Sequence, residues 1–569
     1  AGTSLGRGLF GPVTSRQILL QVRERLVHCF HNHPQCHAQG RSNVRPTRFL
    51  DVNPSTSPEN VKLTHLDTDN RRPYVTLSYV WGRDQQTKTT MATKARHESA
   101  ILITTLPRTI QDAILFTRLM GADLLWVDSL CIVQDDPDEV AREIAKMASY
   151  YGNSLFTLSV AAAQDCDEGF LNSPLGQVPR ATGWVQFGIP FFNSLSNYRG
   201  RLTLFLSRDQ NHRPEDSDEP IERRAWTLQE TLLSRRLVVI EAQSTSWSCL
   251  TVNHGSILNV RTQLLDLRKE ILSLPRVSVE NRHGTELQQT RDLLASPFEI
   301  KDAYSPWQDE EMIESSLCCW FQIVEQYMSR VLSDRGDVLN AISGVAQALS
   351  NGVSDNPLSP DAPKYLAGLW WSKYLPLELL WDAKPQDATE FRSNAPYIAP
   401  SWSWASAPMP ATFTNPLAFP LSTRAFQHFE VISCFIQRQT PKAPYGAVIS
   451  GHLLVKGRVI HGLLQNLEIS EYNFTFMMDP WRGESDNATL RKDEKDVTLL
   501  EILTEEAFDG VGGHRAFFYR GLVLMMQEEG SFSRIGTFGN YIVNTGNDRE
   551  RRWLEFRARL IGCHGKLKF

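Results

Sequence analysis

Asp128, Glu143 and Gln229 are the side chains of this sequence whose type and setting best suit catalysis. Asp128 sits where an apolar run, Leu124 to Val127, turns polar in the word LLWVDSLCIVQDD, with Ser129 and Gln134 just beyond it. A second apolar run, Tyr74 to Val80, ends abruptly at Trp81-Gly82 and carries the phenol of Tyr79 near its end. A third word, RRAWTLQETLL, brings Arg224, Trp226, Gln229 and Glu230. A carboxylate in such a place can stabilise a developing cation or move a proton. An amide, phenol or hydroxyl can polarise a substrate, and an indole offers a face for stacking. Tyr79, Trp81, Gly82, Ser129, Gln134, Arg224, Trp226 and Glu230 are therefore the candidate substrate-binding residues.

The elements that must position these groups follow from spacing. Tyr74 to Val80 and Leu124 to Val127 read as buried strands. Between them LPRTIQDAILFTRLMG reads as a helix, with Ile110, Ala113, Ile114 and Thr117 on one face and Gly121 as its stop. A strand, helix, strand unit makes a parallel pair, and ligands bind beyond the carboxyl ends of such strands. A helix over residues 137–151 follows, with Val140, Ile144, Met147, Ala148 and Tyr151 as its apolar face and Glu143 on the flank. A third strand, Ser154 to Val160, completes a flavodoxin-like α/β half. Residues 84–105 read as a polar loop. Asp128 and Arg224 are expected in one buried polar cluster near Trp81, with Gln229 and Glu230, because charges in apolar words need partners.

The 569 residues exceed what one core accommodates. Residues 1–73 read as an N-terminal helix and lead-in strands, 74–260 as the α/β domain, and 261–309 as a polar insertion or linker. Residues 310–428 read as a helical, aromatic-rich region and 429–569 as an antiparallel β unit. The net charge of -5 is spread along the chain, and no basic stripe suggests nucleic acid. No apolar run reaches the roughly 18 residues of a membrane helix. Nine scattered cysteines argue against a disulfide framework and for a reducing, cytoplasmic setting, where the sequons at Asn473 and Asn487 would stay unused. In HCFHNHPQCHAQ, Cys29, His33 and Cys36 have spacing that can supply three zinc ligands, beside His31 and His37. No fourth ligand pair follows at a zinc-finger spacing, so a capped helix end and proline turn is the favoured reading, and no metal is assigned. Cys131, between Leu130 and Ile132, reads as buried rather than as a nucleophile.

The words YVTLSYVWG, LPRTIQDAI, LLWVDSLCIVQDD, EIAKMASYYGNSLFTLSVA and RAWTLQETLLSRRL occur in the order found in the heterokaryon-incompatibility (HET) family of filamentous fungi, which residues 74 to 240 resemble. AISGVA, YLAGLWW and APSWSWAS resemble the region that often follows that domain. The resemblance implies a distant relation to TIR domains and a part in self/non-self recognition and cell death. TIR relatives include enzymes that cleave NAD at the nicotinamide–ribose bond with a glutamate on a helix beside the sheet edge, and Glu143 fits that position. Two words depart from the family. Ser78-Tyr79-Val80 replaces Ser-His-Cys, and Leu250-Thr251 replaces the acidic residue after Trp247-Ser248-Cys249.

Three functions compete on these grounds. The first is a nucleotide-cleaving or nucleotide-sensing effector, with NAD as a substrate and no tightly bound cofactor. The second is a cofactor-free cyclase or pericyclase (Diels-Alder-type) acting on an apolar polycyclic natural product; the resemblance implies that HET-like proteins also occur in gene clusters for secondary metabolites, where such a scaffold could serve another chemistry. The third is a non-catalytic recognition module. A small-molecule ligand at the sheet edge and self-association through the HET domain are the expected interactions.

Overall fold

The computed structural model describes residues 16–36, 44–54, 57–66, 72–82, 87–171, 184–193, 198–207, 219–241, 245–254, 259–273, 298–300, 310–353, 364–372, 374–383, 397–408, 410–413, 428–463, 475–478, 496–508, 515–527, 531–543 and 564–568. His37, Asn473 and Asn487 lie outside them. The chain divides into two compact units, residues 1–274 and 275–569.

The first unit is built on one mixed sheet. Helix α1 (Arg16–Asn32) opens it and buries Ile18, Val22, Leu26 and Cys29 along one stripe. Strands β1 (Phe49–Asp51) and β2 (Asn60–Thr64) pair antiparallel, so the lead-in strands belong to the sheet itself. Strand β3 (Tyr74–Ser78) is buried at every residue. Helix α2 (Lys94–Ser99) and the short strand β4 (Ile101–Leu102) then occupy part of the stretch expected as a polar loop. The buried imidazole of His97 organises this stretch, its Nδ1 lying 2.9 Å from Thr89 Oγ1. Helix α3 (Arg108–Leu119) buries Ile110, Ala113, Ile114 and Thr117 as the spacing predicts. Gly121, at φ +78°, ends it.

Strand β5 (Leu124–Trp126) is followed by one helical turn, α4 (Asp128–Cys131). The helix expected over 137–151 is two helices, α5 (Pro137–Ile144) and α6 (Met147–Asn153), broken at Ala145-Lys146. Its register also differs. Helix α5 buries Glu139 and Glu143, while Val140 and Ile144 are only half-buried. The cause is the buried Arg48, which pairs with Glu139 and donates from Nε to Cys131 O at 3.0 Å. A guanidinium taken from water needs a carboxylate, and that need outweighs the apolar stripe.

Strand β6 (Thr157–Val160) is followed by a hairpin, β7 (Trp184–Asn193) and β8 (Tyr198–Ser207). Helix α7 (Trp226–Leu233), β9 (Arg236–Ile240), β10 (Thr245–Cys249), β11 (Asn253–His254) and α8 (Asn259–Ser273) complete the unit. Helix α8 buries Leu264, Leu267 and Ile271, so the region read as a polar insertion begins as packed structure. The sheet order is β11-β10-β9-β6-β3-β5-β1-β2-β4. The central strands β5, β3, β6 and β9 are parallel, with Tyr74 opposite Leu124 and Thr76 opposite Thr157. In chain order they run 2-1-3-4, the flavodoxin-like arrangement, whose switch point lies between the first and third strands, here β3 and β6. The flanking strands are antiparallel.

The second unit contains an eight-stranded sheet in which Glu430–Arg438, Val448–Leu463, Asp496–Phe508, Arg515–Met526 and Phe532–Val543 pair antiparallel in sequence, with three shorter strands added. Its aromatic cluster is core. The indoles of Trp320 and Trp404 both donate to Gly368 O, at 3.0 and 2.8 Å. No helix among the described residues is long and apolar enough to cross a membrane.

Candidate functional site

The site begins where β3 and β5 run out. After Ser78 the chain continues through Tyr79 and Val80 to Trp81, then turns at Gly82 with φ +82°. A Cβ at Gly82 would stand 2.9 Å from the Asp165 Cβ, so glycine also lets this turn approach the loop after β6. Trp81 Nε1 donates to both carboxylate oxygens of Asp128, at 3.0 and 3.2 Å. Asp128 is the first residue of α4, and Ser129 N donates to its Oδ1 at 2.8 Å. Beside it the hydroxyls of Tyr79 and Ser129 are 2.9 Å apart and buried. Gln134 Nε2 donates to Asp128 O at 3.0 Å and fixes the turn from behind. Gln134 thus orients the loop through backbone contacts.

The opposite wall comes from the word RRAWTLQETLL. Arg224 Nη1 donates to Tyr79 O at 2.8 Å. Thr227 Oγ1 closes the start of α7 onto Ile221 O and Arg224 O, at 2.6 and 2.8 Å. Trp226 is half-buried at the first position of that helix. Gln229 and Glu230 are both buried on it. The Gln229 amide has no hydrogen-bond partner for its nitrogen or its oxygen among the described residues. Such a group is costly unless something else pairs it. Ser78 and Tyr151 lie beside the Glu230 carboxyl and favour its ionised form, and Tyr151 OH donates to Leu77 O at 3.3 Å. Ser78 and Tyr151 were not expected here. A tyrosine assigned to an apolar helix face still needs a partner for its hydroxyl, and that was the available signal.

Asp128, Glu230 and Arg224 form one electrostatic group. Burial pushes Asp128 up to about 6, against the opposing pull of Arg224, the Ser129 amide and Trp81. Burial and then the charge of Asp128 push Glu230 up to about 7, against Ser78, Arg224 and Tyr151. Burial, followed by the charges of Glu230 and Asp128, raises the Tyr151 phenol well above its ordinary range. Two carboxyls that cannot ionise independently, beside one guanidinium, can divide acid and base roles near neutral pH.

Glu143 has a different environment. Its Oε1 accepts from Thr47 Oγ1 at 2.6 Å, its Oε2 from Tyr150 OH at 2.8 Å, and Lys146 Nζ lies 3.8 Å away. These contacts join the chain before β1 to α5 and α6. Cys131 is buried, and that burial pushes its thiol up to about 12, far from a nucleophile's range.

Comparison with known proteins gives one match. The family described as Heterokaryon incompatibility protein (HET) matches residues 74–230. That span begins with the first residue of β3 and ends on Glu230, so it contains the whole cluster from Tyr79 to Glu230. No curated protein and no solved structure matches the chain.

Proposed function

We propose that this heterokaryon-incompatibility domain cleaves a nucleotide of the NAD type at its nicotinamide–ribose bond, with Asp128 and Glu230 as the reacting pair. The observation that carries this reading is the coupled, buried carboxyl pair at the carboxyl end of β3 and β5. Breaking the C–N bond sends the electron pair out with nicotinamide and leaves positive charge on the ribose. The ionised Asp128 stabilises that charge. Water then adds to the sugar and gives its proton to Glu230, whose affinity near pH 7 suits a general base. The half-buried ring of Trp81, oriented by its bond to Asp128, offers a face for nicotinamide. The unpaired Gln229 amide has one donor set and one acceptor, the complement of a primary carboxamide. Arg224 supplies the cation that favours an anionic nucleotide. In this reading Glu143 is a positioning residue that ties α5 to α6, and the negative charge toward substrate comes from the Asp128 and Glu230 pair. The cellular consequence would be an effector of self/non-self recognition in the cytoplasm, gated by self-association through this domain.

The test is incubation of the purified chain with NAD while free nicotinamide is followed, in dilute and concentrated samples. Release that falls about a hundredfold or more in Glu230→Gln is expected of a main catalytic group. Release no greater than the blank at both concentrations overturns the reading. One observation favours a second function, a cofactor-free cyclase: the buried Tyr79–Ser129 hydroxyl pair and the Gln229 amide are neutral donors suited to polarising an apolar substrate. That enzyme would turn over an apolar polyene and leave NAD intact.

A further inference from the structure

At the far side of the same sheet, four buried side chains converge: Cys29, His33, Cys36 and Cys249. Their ligand atoms all lie within 4.8 Å of one another. Cys29 lies in the last turn of α1 and His33 is the residue just past the helix, its N bonding Cys29 O at 3.2 Å. The short 3-10 turn Pro34–Cys36 then folds Cys36 back, with Cys36 N on His33 O at 3.0 Å. Cys249, the last residue of β10, lies 216 residues further along the chain, with its Sγ 3.4 Å from His33 Nδ1. We propose that these four residues bind a structural zinc ion.

Three observations support the assignment. First, the ligand set and count are those of a closed Cys3His site. A tetrahedron with metal–sulfur arms of about 2.3 Å sets its corners about 3.8 Å apart, so the observed cluster closes with small side-chain movement. Second, the surroundings supply donors to sulfur. Arg236 Nε donates to Cys29 Sγ at 3.2 Å and Val252 N to Cys249 Sγ at 3.3 Å. N–H groups aimed at sulfur support thiolate ligands and hold them in place. Arg236 also donates from Nη2 to Cys36 O at 2.9 Å, fixing the loop that carries the third ligand. Third, the charges require an anion. Arg268 of α8 is fully buried beside Cys29, Cys36 and Cys249, and its Nε and Nη1 have no hydrogen-bond partner among the described residues. Among the described residues neither guanidinium has a carboxylate partner, so three neutral thiols would leave both without countercharge there. Three thiolates alone would crowd three negative charges into one small volume. Zinc with three thiolates and a neutral imidazole carries one net negative charge, which both guanidinium groups can face. Binding releases the three thiol protons to solvent and involves no change of oxidation state.

The ion would fasten α1 to the β10 edge of the sheet. In that role Cys249 of the Trp-x-Cys word is a ligand, and its neighbour Thr251, with Oγ1 3.8 Å from Cys36 Sγ, packs beside the site.

The experiment measures metal on the full chain purified without chelator. Elemental analysis is expected to find about one zinc per chain. An organomercurial that blocks thiols should release it to a chromophoric chelator. Replacing zinc with cobalt(II) should give the intense visible bands of a tetrahedral site and a thiolate-to-metal charge-transfer band, a readout that needs no variant. Cys249→Ser should lower zinc content at least about tenfold, since losing a ligand costs more than losing a group that only supports one. Zinc-free protein that also takes up no cobalt overturns the proposal. So does a Cys249→Ser protein that keeps its full zinc, or a disulfide between any two of Cys29, Cys36 and Cys249 in the native protein.

Discussion

The indole of Trp81 donates to both carboxylate oxygens of Asp128, at 3.0 and 3.2 Å, and so ties the turn after β3 to the turn after β5. Neighbouring parallel strands carry their loops to the same edge, and this contact joins two of those loops directly. The carboxylate it holds is also the one that faces Arg224 and raises Glu230.

Asp128→Ala should destabilise the first unit by about 3 kcal/mol at pH 7, because it leaves the Trp81 and Ser129 N–H groups and the Arg224 charge short of an acceptor. Asp128→Asn should cost less than half as much, since the amide still offers an oxygen to the indole. Chemical denaturation measures both. An unchanged midpoint in the alanine variant would show that solvent, not the cluster, satisfies these groups.

Stability should depend on pH through Glu230. Its carboxyl is raised from an ordinary 4.5 to about 7 in the folded chain. Between these values the folded state holds the proton and the unfolded state does not. Stability from this group is therefore fully present below about 4.5 and is lost as pH rises through about 7, by roughly 3 kcal/mol in all. Glu230→Gln should flatten that part of the profile. Denaturation curves from pH 5 to 8 that slope equally in parent and variant would refute the assignment.

Activity should have an acid limb set by the same pair. Nicotinamide release should rise through about 6 to about 7, as Asp128 and then Glu230 ionise, and level off above. Trp81→Phe removes an N–H that favours the ionised Asp128, so the limb should move to higher pH. Glu143→Gln should leave the shape of this profile unchanged, because Thr47 and Tyr150 lie next to it rather than the reacting pair. A profile unmoved by Trp81→Phe would detach Asp128 from the reaction.

Arg48→Ala should be more damaging than most surface changes, at about 3–5 kcal/mol, since it strands the buried Glu139. Arg48→Met with Glu139→Leu should recover a large part of that loss. A double-mutant cycle checks the coupling, and simple additivity would count against a buried pair.

Gly82→Ala should cost about 1–3 kcal/mol, from its positive φ and from the new Cβ pressing on Asp165. Thermal unfolding measures it. A variant as stable as the parent would mean that the two loops move apart freely.

The sequence by itself determined the parallel core. Leu124 to Val127 is apolar without alternation, and Tyr74 to Val80 carries nothing more polar than the hydroxyls of Tyr74, Thr76, Ser78 and Tyr79, a texture that suits strands covered on both faces. The helix between them carries its stripe at Ile110, Ala113, Ile114 and Thr117. It also marked Asp128, Arg224 and Glu230 for one cluster, because charges set in apolar words must find one another. Only the tertiary structure decided which carboxylates face which partners. Helix α5 turns Glu139 and Glu143 inward because Arg48 and Thr47 reach them from the chain around β1, and no local period encodes a partner some ninety residues away. The same reason separates Cys29, His33 and Cys36 from Cys249 in the sequence. Three ligands are legible at short spacing, but the fourth arrives on a strand whose place beside α1 is set by the order of the whole sheet.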